Sequence, residues 1–374
     1  MKLALSIAVL VLVLTFCRDT AVNGFSFLSP PTLSQSSFRN RDALVVGASS
    51  STTVFTPKRQ NGAASTFMMT FWEGITQGVG GAREANAALE KQKCPVLICP
   101  AQLSVPGDYR QMIADLKERG FPAYVADLTR FGWIAGLLPS ALSPEYFKGE
   151  LIPAKTLGFY YEAIDRALAE IQENHPGAGV HVVGHSIGVG WVARAWVAEG
   201  CSSADRDSVL SLTTLGTPNT GPKEENAGAW TSVDQTRGLL KNINARFPGA
   251  HVEGIRYTSV AGTALDGKFP GSIEEMLAFV SYLPLSGDGR ASGDGIIPRD
   301  VAALEGSTVV EIPTSKHSGF VPFPGKAIDL GEEFLWYGSP SLMGQWVGNL
   351  DAAERRTGVA RGGEGGRFSG GWPW

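Results

Sequence analysis

From about residue 94 onward, short apolar runs alternate with longer segments whose apolar positions recur at helical spacing. Residues 95–99 (Pro-Val-Leu-Ile-Cys) read as a buried strand, and so do 123–128 (Ala-Tyr-Val-Ala-Asp-Leu), 180–183, 209–215, 255–261 and 308–312. Between them, 109–119 places Met112, Ile113 and Leu116 on one side, and Gly120 ends the segment. Residues 157–172 carry Tyr160, Ile164, Leu168 and Ile171 along one stripe, and 189–198 is again helical. Strands that are apolar throughout, rather than alternating, are those covered on both faces. Their regular exchange with helices predicts the α/β class, a mostly parallel central sheet flanked by helices.

The alternation lapses over residues 129–156, a connection holding Trp133, Leu137, Leu138, Pro139, Pro144, Tyr146, Phe147 and Pro153. A long apolar connection within a compact domain is expected to act as a lid or cap over an apolar pocket, or to pack on the core as a loop. The Gly-rich stretch 358–374, ending Gly-Gly-Trp-Pro-Trp, is expected to be a disordered tail. At the front, Lys2 precedes a short, mostly apolar run over 3–16, and small residues follow around Val22-Asn23-Gly24. This reads as a signal peptide over 1–24, because the run is short for a membrane span. Residues 25–68 hold nine Ser, five Thr, four basic residues and one acid, a transit-peptide-like and disordered composition. The two parts, joined at Gly24-Phe25-Ser26-Phe27, resemble the bipartite presequences of algae with complex plastids. That resemblance implies delivery to a plastid through the secretory pathway, with secretion or an endomembrane lumen as the alternative. The domain proper is then expected over 69–357.

Charge sharpens this division. The chain of 374 residues has a formal net charge of −4, yet residues 1–70 hold six basic side chains against two acids. Taken from whole-chain totals of 32 and 36, that leaves 26 basic and 34 acidic residues over 71–374, a net of −8. An acidic body argues against nonspecific nucleic-acid binding. Four Cys in so long a chain make no disulfide framework, and their irregular spacing suits no metal site.

The segment Val183-Gly184-His185-Ser186-Ile187-Gly188 is the most informative. It sets G-x-S-x-G between an apolar strand and a helix. A serine hydroxyl is a weak nucleophile until a base takes its proton, and it must protrude where base and substrate can reach it. A sharp strand-to-helix turn does this, with Gly184 and Gly188 relieving the crowding. The helix that follows aims N–H groups at a developing oxyanion, and the N–H of Ile187 is the expected first donor. A nucleotide loop is the rival reading. It fails because Ser186 and Val189 stand where glycines are needed and no G-K-[ST] is present.

With a serine on such a turn, the acid and then the histidine are sought downstream. Only His251 and His317 follow Ser186, and His317 sits in a short loop after the strand at 308–312. His317 is therefore the candidate base and His251 a surface residue, while His185 is expected to pack or hydrogen-bond beside the turn. Among Asp266, Asp288, Asp294 and Asp300, the preferred acid is Asp294, in Gly293-Asp294-Gly295-Ile296-Ile297-Pro298. Glycines allow a tight loop there, and an apolar run anchors it. Gly287-Asp288-Gly289 reads as a plain turn. The second oxyanion donor is expected after the first strand, from the N–H of Ala101 or Gln102. Cys99 beside them reads as a small buried hydrophobe.

On these residues the chain resembles the α/β-hydrolase lipases, most of all the group around GPI inositol-deacylases and related lipases. The resemblance spans about 94–350. It rests on Gly184-His185-Ser186-Ile187-Gly188, Leu215-Gly216-Thr217-Pro218, Gly293-Asp294-Gly295-Ile296-Ile297-Pro298, His317 and the segment from Asp108 to Phe121. It implies an α/β-hydrolase fold with a lid, a Ser186–Asp294–His317 triad and hydrolysis of a lipid acyl ester, without cofactor or metal. Two departures stand out: Pro100-Ala101 where such lipases carry His-Gly, and Thr217-Pro218-Asn219 where many carry Thr-Pro-His. Acyl transfer on the same residues, or a non-catalytic scaffold binding lipid or protein, are the alternatives. Peripheral membrane contact through the lid would accompany a lipid substrate.

Overall fold

The computed structural model describes residues 93–186, 190–222, 236–322 and 327–357. The expected signal peptide (1–24), transit-like segment (25–68) and tail (358–374) lie outside the described residues, as do 69–92, Ile187 and Gly188.

Six parallel strands form the central sheet: β1 (Val96–Cys99), β2 (Ala123–Val125), β3 (Val180–His185), β4 (Val209–Leu215), β5 (Arg256–Gly262) and, after two short strands, β8 (Thr308–Ile312). Their order is β2-β1-β3-β4-β5-β8. The short strands β6 (Leu265–Asp266) and β7 (Ser292–Gly293) pair antiparallel with each other. The strand segments read from the apolar runs are therefore those that form, trimmed or extended by a few residues. Successive residues of β1 explain the unbroken apolar run. Val96 and Ile98 enter one apolar cluster and Leu97 and Cys99 the other, so both faces of the strand are covered.

Helices close both faces. In chain order they are α1 (Arg110–Glu118), α2 (Arg130–Ala141), α3 (Pro144–Lys148), α4 (Pro153–Thr156), α5 (Gly158–Asn174), α6 (Gly190–Ala195), α7 (Ser203–Ser208), α8 (Leu239–Arg246), α9 (Ile273–Ser286), α10 (Arg299–Ala302) and α11 (Pro340–Thr357). Tyr160, Ile164, Leu168 and Ile171 of α5 pack on one face with Leu97, Val182 and Leu212. Met112 and Leu116 of α1 join Trp346 and Leu350 of α11 on the other, against Ile98, Val183 and Val260. The stripe read at 157–172 is thus the inner face of α5. The segment read as one helix over 189–198 splits into α6 and a π turn (Trp196–Gly200).

The largest departure lies at 129–156, read as a connection without periodicity. It folds as α2, α3 and α4. Local signals start these helices: Thr129 and Ser143 accept N–H groups as N-caps, Pro144 and Pro153 occupy first turns, and Gly149 ends α3 at φ +74°. No apolar-to-polar period marks them, because apolar side chains lie on their outer face as well. Phe131, Ile134 and Leu138 are exposed along α2, followed by Leu142, Phe147 and Ile152, whereas Trp133 is buried. Among the described residues no helix is long and apolar enough to cross a membrane.

Parallel sheets gather their functional loops beyond the carboxyl ends of the strands, where the strand order reverses. Here the reversal falls between β1 and β3, whose ends meet at Cys99 and Gly184. The loop starting at Pro100 and the serine at 186 emerge there side by side.

Candidate active site

Gly184 and His185 close β3, and Ser186 follows at once with φ +71°. A left-handed backbone is costly for a residue with a side chain and persists only where its surroundings enforce it. Here the Ser186 N–H is held by the Leu215 carbonyl at 2.9 Å, and its carbonyl accepts from the Thr217 hydroxyl at 3.3 Å. The chain is helical again from Gly190.

The Ser186 hydroxyl lies 2.6 Å from His317 Nε2, and His317 Nδ1 lies 2.8 Å from Asp294 Oδ2. The carboxylate fixes the tautomer. Nδ1–H donates to Asp294, so Nε2 is the free acceptor facing the serine. The two residues are also joined through their main chains, the His317 N–H donating to the Asp294 carbonyl at 2.9 Å. Asp294 Oδ1 accepts from the N–H groups of Ile296 and Ile297 at 2.9 and 2.7 Å, so the apolar run behind the loop serves as its anchor. Burial alone pushes this carboxyl upward. The facing charge and N–H of His317, with the two backbone donors, outweigh it and hold Asp294 below the usual carboxylate range. The glycine at 216 makes room, since a Cβ there would fall 2.5 Å from Asp294 Oδ2.

The other candidates fall elsewhere. Asp266 is exposed on β6, Asp288 caps the turn after α9 by accepting from the Arg290 N–H, and Asp300 pairs with Arg299. His251 is exposed and packs edge-on against Phe247. Cys99 is fully buried, and burial pushes its thiol far up, leaving it inert.

One expectation near the site changes. The Ala101 N–H is already donated to Tyr109 Oη at 2.7 Å, which leaves Gln102 as the amide free to face an oxyanion. Gln102 is exposed, and its N–H donates to no other described residue. His185 hydrogen-bonds beside the turn, as expected. Its Nε2–H donates to the His317 carbonyl at 2.9 Å, and its Nδ1 accepts from the Tyr109 hydroxyl at 2.8 Å. Burial, and then the neighbouring His317 charge, lower its pKa to about 3, so it stays neutral and keeps that tautomer. A chain of donors thus runs from the Ala101 amide through Tyr109 and His185 to the main chain of His317.

Asn219, standing where the resemblance leads one to expect histidine, is a buried tie. Its Nδ2 donates to the Ala302 carbonyl at 2.8 Å and to the Thr214 hydroxyl at 3.2 Å. The start of α2 is tied to the loop after β1. Trp133 Nε1 donates to the Ser104 carbonyl at 3.1 Å, and Arg130 Nη2 reaches both oxygens of Asp108 at 3.0 and 2.9 Å. Sequence reading also missed Tyr337, whose hydroxyl donates to Asp294 Oδ2 at 2.7 Å. It sits in a loop before α11 with no motif of its own, so spacing offered no signal.

The open parallel sheet, its crossover at β1/β3 and the serine turn at the end of β3 define an α/β-hydrolase fold. No protein-family profile matches the chain, and no curated protein matches it in sequence. Solved structures that resemble it do so at low identity. Phospholipase PlaB from Legionella pneumophila, in complex with thio-NAD, aligns at 10% identity and a TM-score of 0.40, over 72% of this chain and 62% of that one. The pyrethroid hydrolase PytH aligns at 16% identity and a TM-score of 0.32, over 71% and 99%. The esterase Est22 aligns at 13% identity and a TM-score of 0.34, over 73% and 72%.

Proposed function

We propose that the chain is a serine esterase or lipase that cleaves a lipid acyl ester. The observation that carries this is the line Ser186 Oγ–His317 Nε2–Asp294 Oδ2, at 2.6 and 2.8 Å, on a serine held at positive φ. In this reading Ser186 attacks the ester carbonyl while His317 takes the hydroxyl proton. Asp294 stabilises the imidazolium, and the N–H groups of Ile187 and Gln102 take up the oxyanion. His317 then gives its proton to the departing alkoxide, leaving an acyl-serine. Water enters, gives a proton to His317 and releases the acid, and the proton returns to Ser186.

The exposed apolar face of α2 and α3 supports a lipid substrate and peripheral contact with a membrane surface. The resemblance to the GPI inositol-deacylase-like lipases points the same way. Wild-type full-length protein is expected to be labelled by a fluorophosphonate and to hydrolyse p-nitrophenyl esters; a folded protein that does neither sinks the proposal. The double variant Phe131→Ser/Phe147→Ser is expected to lose about tenfold or more in turnover of esters presented in vesicles, while soluble short-chain esters are cleaved as before. Equal loss on both substrates would argue against an interfacial role. Plastid delivery is part of the proposal, resting on the composition of residues 1–68. A fluorescent protein fused behind these residues is expected to enter the plastid of a complex-plastid alga, whereas secretion would favour the alternative.

A further inference from the structure

We propose that Tyr337 is a positioning residue that fixes Asp294 and tempers its pull on the base; this rests on the serine-hydrolase reading above. The phenol is completely buried and stands between two partners. Its oxygen accepts from the Gly262 N–H at 2.8 Å, and its proton goes to Asp294 Oδ2 at 2.7 Å. The amide leaves that proton one direction to point. Burial and then the Asp294 charge push the phenol well above its ordinary pKa, which keeps the proton on Tyr337.

The fold reserves space for this contact at the ends of two adjacent strands. A Cβ at Gly262 would fall 3.0 Å from Tyr337 Oη and 2.9 Å from Asp294 Cβ, and one at Gly216 would fall 2.7 Å from the Tyr337 ring. The loop is pinned from behind, with Trp346 Nε1 donating to the Tyr337 carbonyl at 3.0 Å and the Trp336 N–H to the Ser339 hydroxyl at 3.0 Å. Asp294 Oδ2 therefore divides its charge between His317 Nδ1–H and the phenol. The second donor stops the carboxylate from turning and weakens its hold on the imidazolium.

Few other charges bear on the pair. Facing His317 are Asp294, Ser186 and the neutral His185, with Tyr109 behind it. Facing Asp294 are His317, Tyr337 and Tyr282, whose hydroxyl accepts from the Gly295 N–H. Lys316 turns away, over the Phe334 ring and toward Glu274.

The test is Tyr337→Phe in the full-length protein, with p-nitrophenyl ester turnover and fluorophosphonate labelling followed across pH. The expected result is a fall in kcat of about tenfold, the size of one hydrogen bond to a charged group, at unchanged KM. The acid limb of kcat/KM is expected to move up by about half a pH unit, because the carboxylate with one donor fewer holds the imidazolium more strongly. Site-specific 3-fluorotyrosine at 337, a stronger donor of almost the same shape, should move the limb the other way. It also keeps the question open to experiment if the Phe variant folds poorly. An unmoved limb in these proteins, with only a lowered melting temperature, overturns the inference and leaves Tyr337 a packing residue. Failure of the wild type to label would instead remove the serine-hydrolase reading on which it depends.

Discussion

Ser186→Ala is expected to abolish fluorophosphonate labelling and to cut ester turnover by roughly a millionfold, and His317→Ala to lower turnover by a similar factor. The two residues act as one unit, since the hydroxyl is a nucleophile only while His317 Nε2, 2.6 Å away, takes its proton. The double variant should then be hardly worse than either single one. Ser186→Ala removes one hydroxyl and should melt close to the wild type, whereas His317→Ala leaves the buried Asp294 carboxylate without its imidazole partner and should melt lower. Labelling that persists in Ser186→Ala would move the nucleophile elsewhere, and a proportionate second loss in the double variant would show that the two residues work separately.

Asp294→Asn carries the second largest expected effect, about 10⁴-fold in kcat. The orientation of the new amide is dictated in advance. The N–H groups of Ile296 and Ile297 require an acceptor at the Oδ1 position, so the amide nitrogen must face His317 Nδ1. Two donors cannot meet. Nδ1 becomes the acceptor, the proton moves to Nε2, and the base presents a hydrogen where the serine needs a lone pair. Asp266→Asn and Asp288→Asn, whose carboxylates make no hydrogen bond to Ser186, His317 or Asp294 among the described residues, should retain turnover within about twofold. Loss in either of those two, with Asp294→Asn active, would reassign the acid. Stability should respond to pH as well. The folded carboxyl of Asp294 lies below its unfolded value, so the stability it contributes is present above the usual carboxylate range and is lost as pH falls through its folded pKa. Thermal melts from neutral to acid pH should therefore drop less steeply for Asp294→Asn than for the wild type.

What could be read from the sequence follows from how local each signal is. The strand at 96–99 announced itself because a strand covered on both faces must be apolar throughout, whereas 308–312 was legible from its β-branched run although, as the edge strand β8, it is mostly exposed. The arrangement of Ser186, His317 and Asp294 was legible in part. The serine carries its turn in its own flanking residues, and the glycines and isoleucines around Asp294 form the cradle that receives it. Helices α2 to α4 were hidden because periodicity reports contrast between two faces, and α2 is apolar on both. Helix α9 was missed as well, although Ser272 and Glu275 form a reciprocal cap at its start. Its Val280 is exposed and Pro284 lies within it, so the apolar stripe is blurred. Tyr109 and Tyr337 were beyond reach for a different reason. Each acts across 76 and 43 residues of chain respectively, onto His185 and Asp294, through a single hydroxyl that no neighbouring residue foretells.

The double stitch between Asp294 and His317, side chain to side chain and main chain to main chain, bears on any attempt to rebuild this site. A histidine moved alone to another loop would leave behind both its carboxylate and the carbonyl that seats its own amide. Asp294 and His317 form one segment, running from Gly293 to His317, whose alignment is completed from outside by Tyr337 and His185. The serine belongs to a separate piece, the end of β3, which reaches that segment across Leu215 of β4. Register between the two pieces is therefore set by the sheet, and the 2.6 Å Ser186–His317 distance is the quantity that a redesign of this scaffold would have to protect.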